Sequence, residues 1–161
     1  MTAEFSPQEI LWIAIKVEEN GRKLYEALEK RTKDKDFKDI WIYLKEQEII
    51  HRDVFKKMLD EVEDYMVDDF NPGEYLSYIR AIAENYIFTQ KLIKERLKTL
   101  RFSDIEALDF GIFIEKESIL TYSAFKEYLK TDKQIVLDKI INEEKKHLVK
   151  LSKLKASLFS A

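Results

Sequence analysis

Only two histidines occur among the 161 residues, and each has a glutamate three positions before it: Glu48-Ile49-Ile50-His51 and Glu144-Lys145-Lys146-His147. On a helix, positions i and i+3 share a face about one turn apart, so each Glu and its His can reach one common point. Two more glutamates stand where apolar side chains are due. Glu18 falls within the stripe Ile10, Ala14, Val17, Gly21, Leu24, Leu28, and Glu115 falls between Ile112 and Ile119. A buried carboxylate without a partner costs several kcal/mol or gives up its charge, so four of them in one core need an explanation. Bound cations supply one, because two divalent ions cancel four negative charges. Mixed carboxylate and imidazole ligands suit iron or manganese with open positions, and zinc could substitute. The chain has no Cys, which excludes thiolate-bound zinc, iron–sulfur clusters and a cysteine nucleophile.

These residues must be carried by helices. With only 3 Gly and 2 Pro, the chain lacks the punctuation of a sandwich or barrel, while 45% hydrophobic and 37% charged residues favour long amphipathic helices. A first helix is expected from the capping box Ser6-Pro7-Gln8-Glu9 to the polar stretch Thr32–Asp36. The second carries Phe37, Trp41, Leu44, Phe55, Met58 and Val62, and ends before Asn71-Pro72-Gly73. Another capping box, Ser103-Asp104-Ile105-Glu106, opens the third, with Leu108, Ile112, Ile119, Tyr122, Phe125 and Leu129. The fourth is expected from Thr131-Asp132-Lys133-Gln134, with Leu137, Ile141, Leu148, Leu151, Leu154 and Leu158. Roughly 40 residues separate the second helix from the third, too many for a simple hairpin loop. Tyr75, Ile79, Ile82 and Tyr86 give that stretch a helical period. The expected architecture is all-α: two antiparallel hairpins, joined by a long helical crossover, in a four-helix bundle.

The two halves repeat. Glu18 and Tyr25 are seven residues apart, as are Glu115 and Tyr122; Glu18 to Glu48 spans 30 residues and Glu115 to Glu144 spans 29. Residues equidistant from a hairpin turn lie at one height. The midpoints fall near Lys33 and between Leu129 and Lys130, so all four carboxylates can meet at one level, and the phase selects Glu18, Glu115 and Glu144 over Glu19, Glu117 and Glu143. Tyr25 and Tyr122 are read either as core tyrosines or as hydrogen-bond partners of metal-bound carboxylates. Gly21, one turn from Glu18, is read as making room for a ligand or a close helix approach. Trp12 and Trp41 are read as core or interface residues, and Glu84 as a solvated crossover residue rather than a further ligand. Lys145, Lys146, Lys150, Lys153 and Lys155 are read as the wet side of the fourth helix; the alternative is attraction of an acidic redox partner.

Glu18 with Tyr25, Glu48 with His51, Glu115 with Tyr122, and Glu144 with His147 resemble the pattern of rubrerythrin-type members of the ferritin-like diiron superfamily, over most of the chain. The resemblance implies one ferritin-like domain over 1–161 and a pair of iron ions. Glu18 and Glu115 would each bind mainly one iron, Glu48 and Glu144 would bridge the pair, and His51 and His147 would each cap one ion. This chain departs from full-length rubrerythrins in two ways: it has no four-cysteine rubredoxin-like segment, and Ser118 stands where they carry an extra carboxylate.

The expected function is a non-haem diiron oxidoreductase. It would reduce peroxide, or activate dioxygen, with electrons from a separate donor such as a rubredoxin-like protein. The alternatives are a ferroxidase or iron-handling protein, and a helical interaction module whose metal is structural or vestigial. A net charge of −3 gives nucleic acid no bulk attraction. Neither a signal-peptide pattern in Met1–Glu9 nor an apolar run of membrane-spanning length, ~20 residues, is present, so a cytoplasmic protein, expected to be a homodimer, is inferred.

Overall fold

Each hairpin is built from local signals at its turn. The computed structural model describes residues 7–65 and 103–160, and between them 77–78, 81–82, 84–85, 91, 94–95 and 97–98. Helix α1 (Pro7–Arg31) ends where the Thr32 amide bonds the Leu28 carbonyl at 2.9 Å. Two residues on, Asp34 turns extended and accepts the amides of Asp36 and Phe37 at 2.9 and 3.2 Å, which starts helix α2 (Lys35–Asp60). Capping satisfies amides that a helix start would otherwise leave unbonded. The chain breaks at Glu61 and continues as the short helix α3 (Val62–Tyr65), so the second helical stretch is interrupted ten residues ahead of the Asn-Pro-Gly signal.

Helix α4 (Asp104–Phe125) opens on the capping box at Ser103, with the Ser103 and Glu106 side chains each bonding the other's backbone amide. It gives way to a 3-10 turn at Lys126–Tyr128, and helix α5 (Gln134–Ser157) starts three residues later than the Thr131 signal predicts. The reason is visible at Lys133, which adopts helical backbone angles and provides no side-chain cap. The capping role of Ser6 and the Asn71–Gly73 breaker lie outside the described residues. The crossover residues that are described, among them Ser77, Tyr78, Ala81, Ile82, Glu84 and Asn85, are helical.

α1 packs along α2, α4 along α5, and α1 meets α4, giving an all-α ferritin-like bundle. The core divides into two apolar clusters. One contains Ile10, Ala14, Phe55, Met58, Tyr122, Phe125, Leu137 and Ile141; the other contains Leu24, Tyr25, Leu28, Trp41, Leu44, Leu108, Ile114 and Leu151. Gly111 allows a close approach in the second cluster, because a Cβ there would stand 3.0 Å from Leu151 and 3.2 Å from the Trp41 ring. Among the described residues, no helix is long and apolar enough to cross a membrane. Trp41 belongs to the core, whereas Trp12 is exposed.

Because Asp34 acts only at the turn, Asp34→Ala should cost about 1 kcal/mol of stability. Urea unfolding should show that loss, and metal uptake should stay unchanged.

Candidate metal centre

Between the two apolar clusters lies a polar layer. Glu18, Glu48, His51, Glu115, Glu144 and His147 are each at most 1% exposed. α1 and α4 contribute one Glu apiece, and α2 and α5 contribute a Glu and a His one turn apart. Of the neighbours that phase rejected, Glu19 points elsewhere: it is clasped by Arg22 at 2.7 Å and by Arg52 of α2 at 2.9 Å, and bonding to Arg22, aided by Arg52, holds its carboxyl down at about 2. Glu84 is exposed, as a solvated crossover residue should be.

Ligand atoms of Glu18, His51 and Glu144 lie within 4.8 Å of one another, and so do those of Glu115, Glu144 and His147. Glu144 belongs to both groups. Its Oε1 is 2.8 Å from His51 Nδ1, and its Oε2 is 3.3 Å from His147 Nδ1. His51 Nδ1 also comes within 3.6 Å of Glu18, and His147 Nδ1 within 3.4 Å of Glu115. Glu48 stands outside both three-residue groups but inside the same layer, against Gly21, where a Cβ would lie only 2.5 Å from its Oε2.

Hydrogen bonds cross between the hairpins. Tyr25 of α1 donates to Glu115 Oε1 of α4 at 2.5 Å, and Tyr122 of α4 donates to Glu18 Oε1 of α1. Each tyrosine is therefore a core residue whose hydroxyl serves the opposite helix's carboxylate. Glu143 is the residue that sequence reasoning missed. Its Oε2 lies 2.8 Å from His51 Nε2, so an Nε2–H donated to Glu143 leaves the Nδ1 lone pair facing Glu18 and Glu144. Adjacency to Glu144 was the only signal for it, since the matching position in the first hairpin is Gln47.

The electrostatics show what the layer lacks. Burial, then the charges of Glu18, Glu144 and Glu115, push the Glu48 carboxyl well above the usual range. Burial and the Glu144 charge do the same to Glu115. Burial also works to raise Glu144, but bonds with Glu115, His147 and His51 outweigh it and hold that carboxyl low. For the imidazoles burial opposes charge, yet Glu144 and Glu18 lift His51 to about 11, and Glu115 and Glu144 lift His147 to about 9. Without cations, protons neutralise the cluster. Among the described residues, Glu18 Oε2, both oxygens of Glu48 and Glu115 Oε2 are buried with no hydrogen-bond partner, and His51 Nδ1 and Glu144 Oε1 meet at 2.8 Å without the alignment of a good hydrogen bond. Six such oxygen and nitrogen atoms in one dry layer are a donor set that fits two divalent cations.

Three measurable consequences follow from this geometry. Gly21→Ala gains helix propensity, about 1 kcal/mol, but displaces the Glu48 carboxylate; titration calorimetry should show weaker metal binding in a chain that still folds. Tyr122→Phe should lower metal affinity about 10-fold or more, because Glu18 loses the hydroxyl donor that Tyr122 supplies. In the metal-free chain, the raised histidines stabilise fully below their ordinary value of 6.5, and that stability is lost as pH climbs through about 9 and then 11. Glu48 and Glu115, also raised, act in the same direction above 4.5. Cations replace those protons, so their affinity rises with pH. Calorimetry should therefore show the metal-free melting temperature falling from pH 6.5 to 9, and a larger metal-induced rise at pH 8 than at pH 6.

Comparison with known proteins agrees with the geometry. No curated protein matches the chain significantly. Among solved structures, it is similar to one described as a ferritin-like diiron-carboxylate protein from Thermotoga maritima, with 27% identity, a TM-score of 0.69, and coverage of 97% of this chain and 98% of that one. The model of the Rubrerythrin family matches residues 9–155, which contain all six clustered acid and imidazole residues and both tyrosines bonded to them; the chain belongs to that family.

Proposed function

We propose that the protein is a non-haem diiron oxidoreductase that reduces hydrogen peroxide, or activates dioxygen, with electrons from a separate one-electron donor. The observation that carries this reading is Glu144, whose two oxygens face different histidines and so belong to two adjacent metal positions. Family membership and the diiron-carboxylate description of the Thermotoga maritima protein support it further.

A pair of iron ions supplies two electrons at neighbouring centres, the number that one peroxide takes up, with two protons, to leave as two waters. The residues of the chain do the rest. Glu18 and His51 would hold one ion and Glu115 and His147 the other, with Glu144 available to both. Burial, followed by the charges of nearby carboxylates, keeps the Tyr25 and Tyr122 hydroxyls protonated far above their ordinary range, so both remain hydrogen-bond donors and fix the orientation of Glu115 and Glu18. Glu48 has no hydrogen-bond partner for either oxygen among the described residues and has the small Gly21 beside it, which would leave that carboxylate room to serve a metal. The apolar clusters on either side exclude excess water. None of the 161 residues is a Cys that could hold an iron–sulfur relay, and a rubredoxin-like protein of the cytoplasm is the donor we propose.

Protein reconstituted with ferrous iron should bind two ions per chain and, in stopped-flow mixing, should be oxidised faster by peroxide than by dioxygen. Glu144→Ala should reduce the stoichiometry below two and abolish the fast phase. Faster oxidation by dioxygen would overturn the peroxidase reading.

A further inference from the structure

One face of the bundle brings the buried layer close to solvent. A groove of about 810 Å³ runs between α2 and α5, and His51 and Glu143 line it. Part of its wall is apolar, with Val54 and Val136 beside Ile50 and Ile135, the latter two 53% and 70% exposed. Isolated exposed aliphatics are ordinary, but a groove lined with them marks a contact surface. Its acids are already engaged: Asp138 pairs with Lys126 at 2.6 Å, and Glu143 holds His51. Lys139 and Lys146, two turns apart on α5, have no carboxylate partner among the described residues and leave the rim positive.

Resting on the function proposed above, we propose that this groove is the docking site of the electron donor, a small acidic one-electron carrier protein with an apolar centre, and that electrons enter through the His51 edge. The charge of the rim selects the occupant. Lys139 and Lys146 attract an acidic rim, and the isoleucines and valines receive an apolar centre. The route inward is short. Glu143, 31% exposed, touches His51 Nε2 at 2.8 Å, and His51 Nδ1 lies 2.8 Å from the shared Glu144. Each encounter oxidises one donor by one electron and reduces one ferric ion to ferrous; two encounters restore the pair, and no covalent bond forms or breaks.

The probe is a rubredoxin of net negative charge. With its iron replaced by zinc, and with the full chain loaded with zinc, amide shifts should change around Ile50, Ile135, Lys139 and Lys146. With native iron, reduced rubredoxin should reduce the diferric protein at a rate that falls with added salt, and K139E/K146E should slow it about 10-fold and flatten that salt dependence. After reduction by dithionite, the variant and the parent should react with peroxide at equal rates. Shifts mapping elsewhere, no binding, or an unchanged rubredoxin rate in the variant would overturn the docking site. So would groove shifts that depend on the chain's own concentration, which would assign the groove to a second copy. A centre that peroxide leaves unoxidised would defeat the proposed function instead, and the shift map would still decide the docking site.

Discussion

Charge burial is the constraint on which this structure turns. Four carboxylates and two imidazoles share one layer inside a bundle whose other core residues are almost all apolar. Moving an ion from water into such surroundings costs several kcal/mol even after relaxation. The chain can meet that cost with protons or with metal. Protons answer it only partly, since Glu48 and both its oxygens remain without a hydrogen-bond partner among the described residues. Cations answer it at every orphaned atom together, and for that reason the layer is better understood as half of a binding equilibrium than as a finished core.

The bundle's connectivity follows from the same constraint. Ligands that must meet at one depth need helices whose lengths on either side of each turn are matched, and the Asp34 cap and the Lys126–Lys133 turn set those lengths. The tyrosines then join the hairpins. Because Tyr25 bonds the Glu of α4 and Tyr122 bonds the Glu of α1, neither hairpin can complete its own carboxylate. Assembly of the two halves and formation of the site are one event.

Much of this was legible in the sequence, and the reasons are specific. A glutamate that interrupts an apolar stripe reveals its own burial, so Glu18, Glu48, Glu115 and Glu144 could be located by phase, and the spacing about each turn gave their common height. Glu143 carried no such mark. It sits off the apolar stripe, as solvated glutamates do, and only the neighbouring helix reveals that it faces His51. The tyrosine bonds were equally hidden, because seven-residue spacing places Tyr25 near Glu18 on the same helix while its actual partner is Glu115. The break at Glu61 has no proline or glycine to announce it. Periodicity reports what one helix buries; it says little about which helix receives it.

The repeat between the hairpins is real in register but broken in chemistry, and the breaks fall around the metal layer. α2 places a ring beside each tyrosine: Trp41 stacks on Tyr25 with centroids 5.8 Å apart, and Phe55 lies 4.9 Å from Tyr122. α5, at the matching positions, has Leu137 and Leu151. Glu143 supports His51, whereas the matching Gln47 is an amide and His147 is packed instead against the edge of Tyr43, itself covered by Lys150. A carboxylate partner makes an imidazole a stronger ligand than a neutral neighbour does. The two metal positions are therefore inequivalent by construction. The side with the more basic histidine is also the side that lines the open groove, so the asymmetry lies along a direction in which the layer approaches solvent.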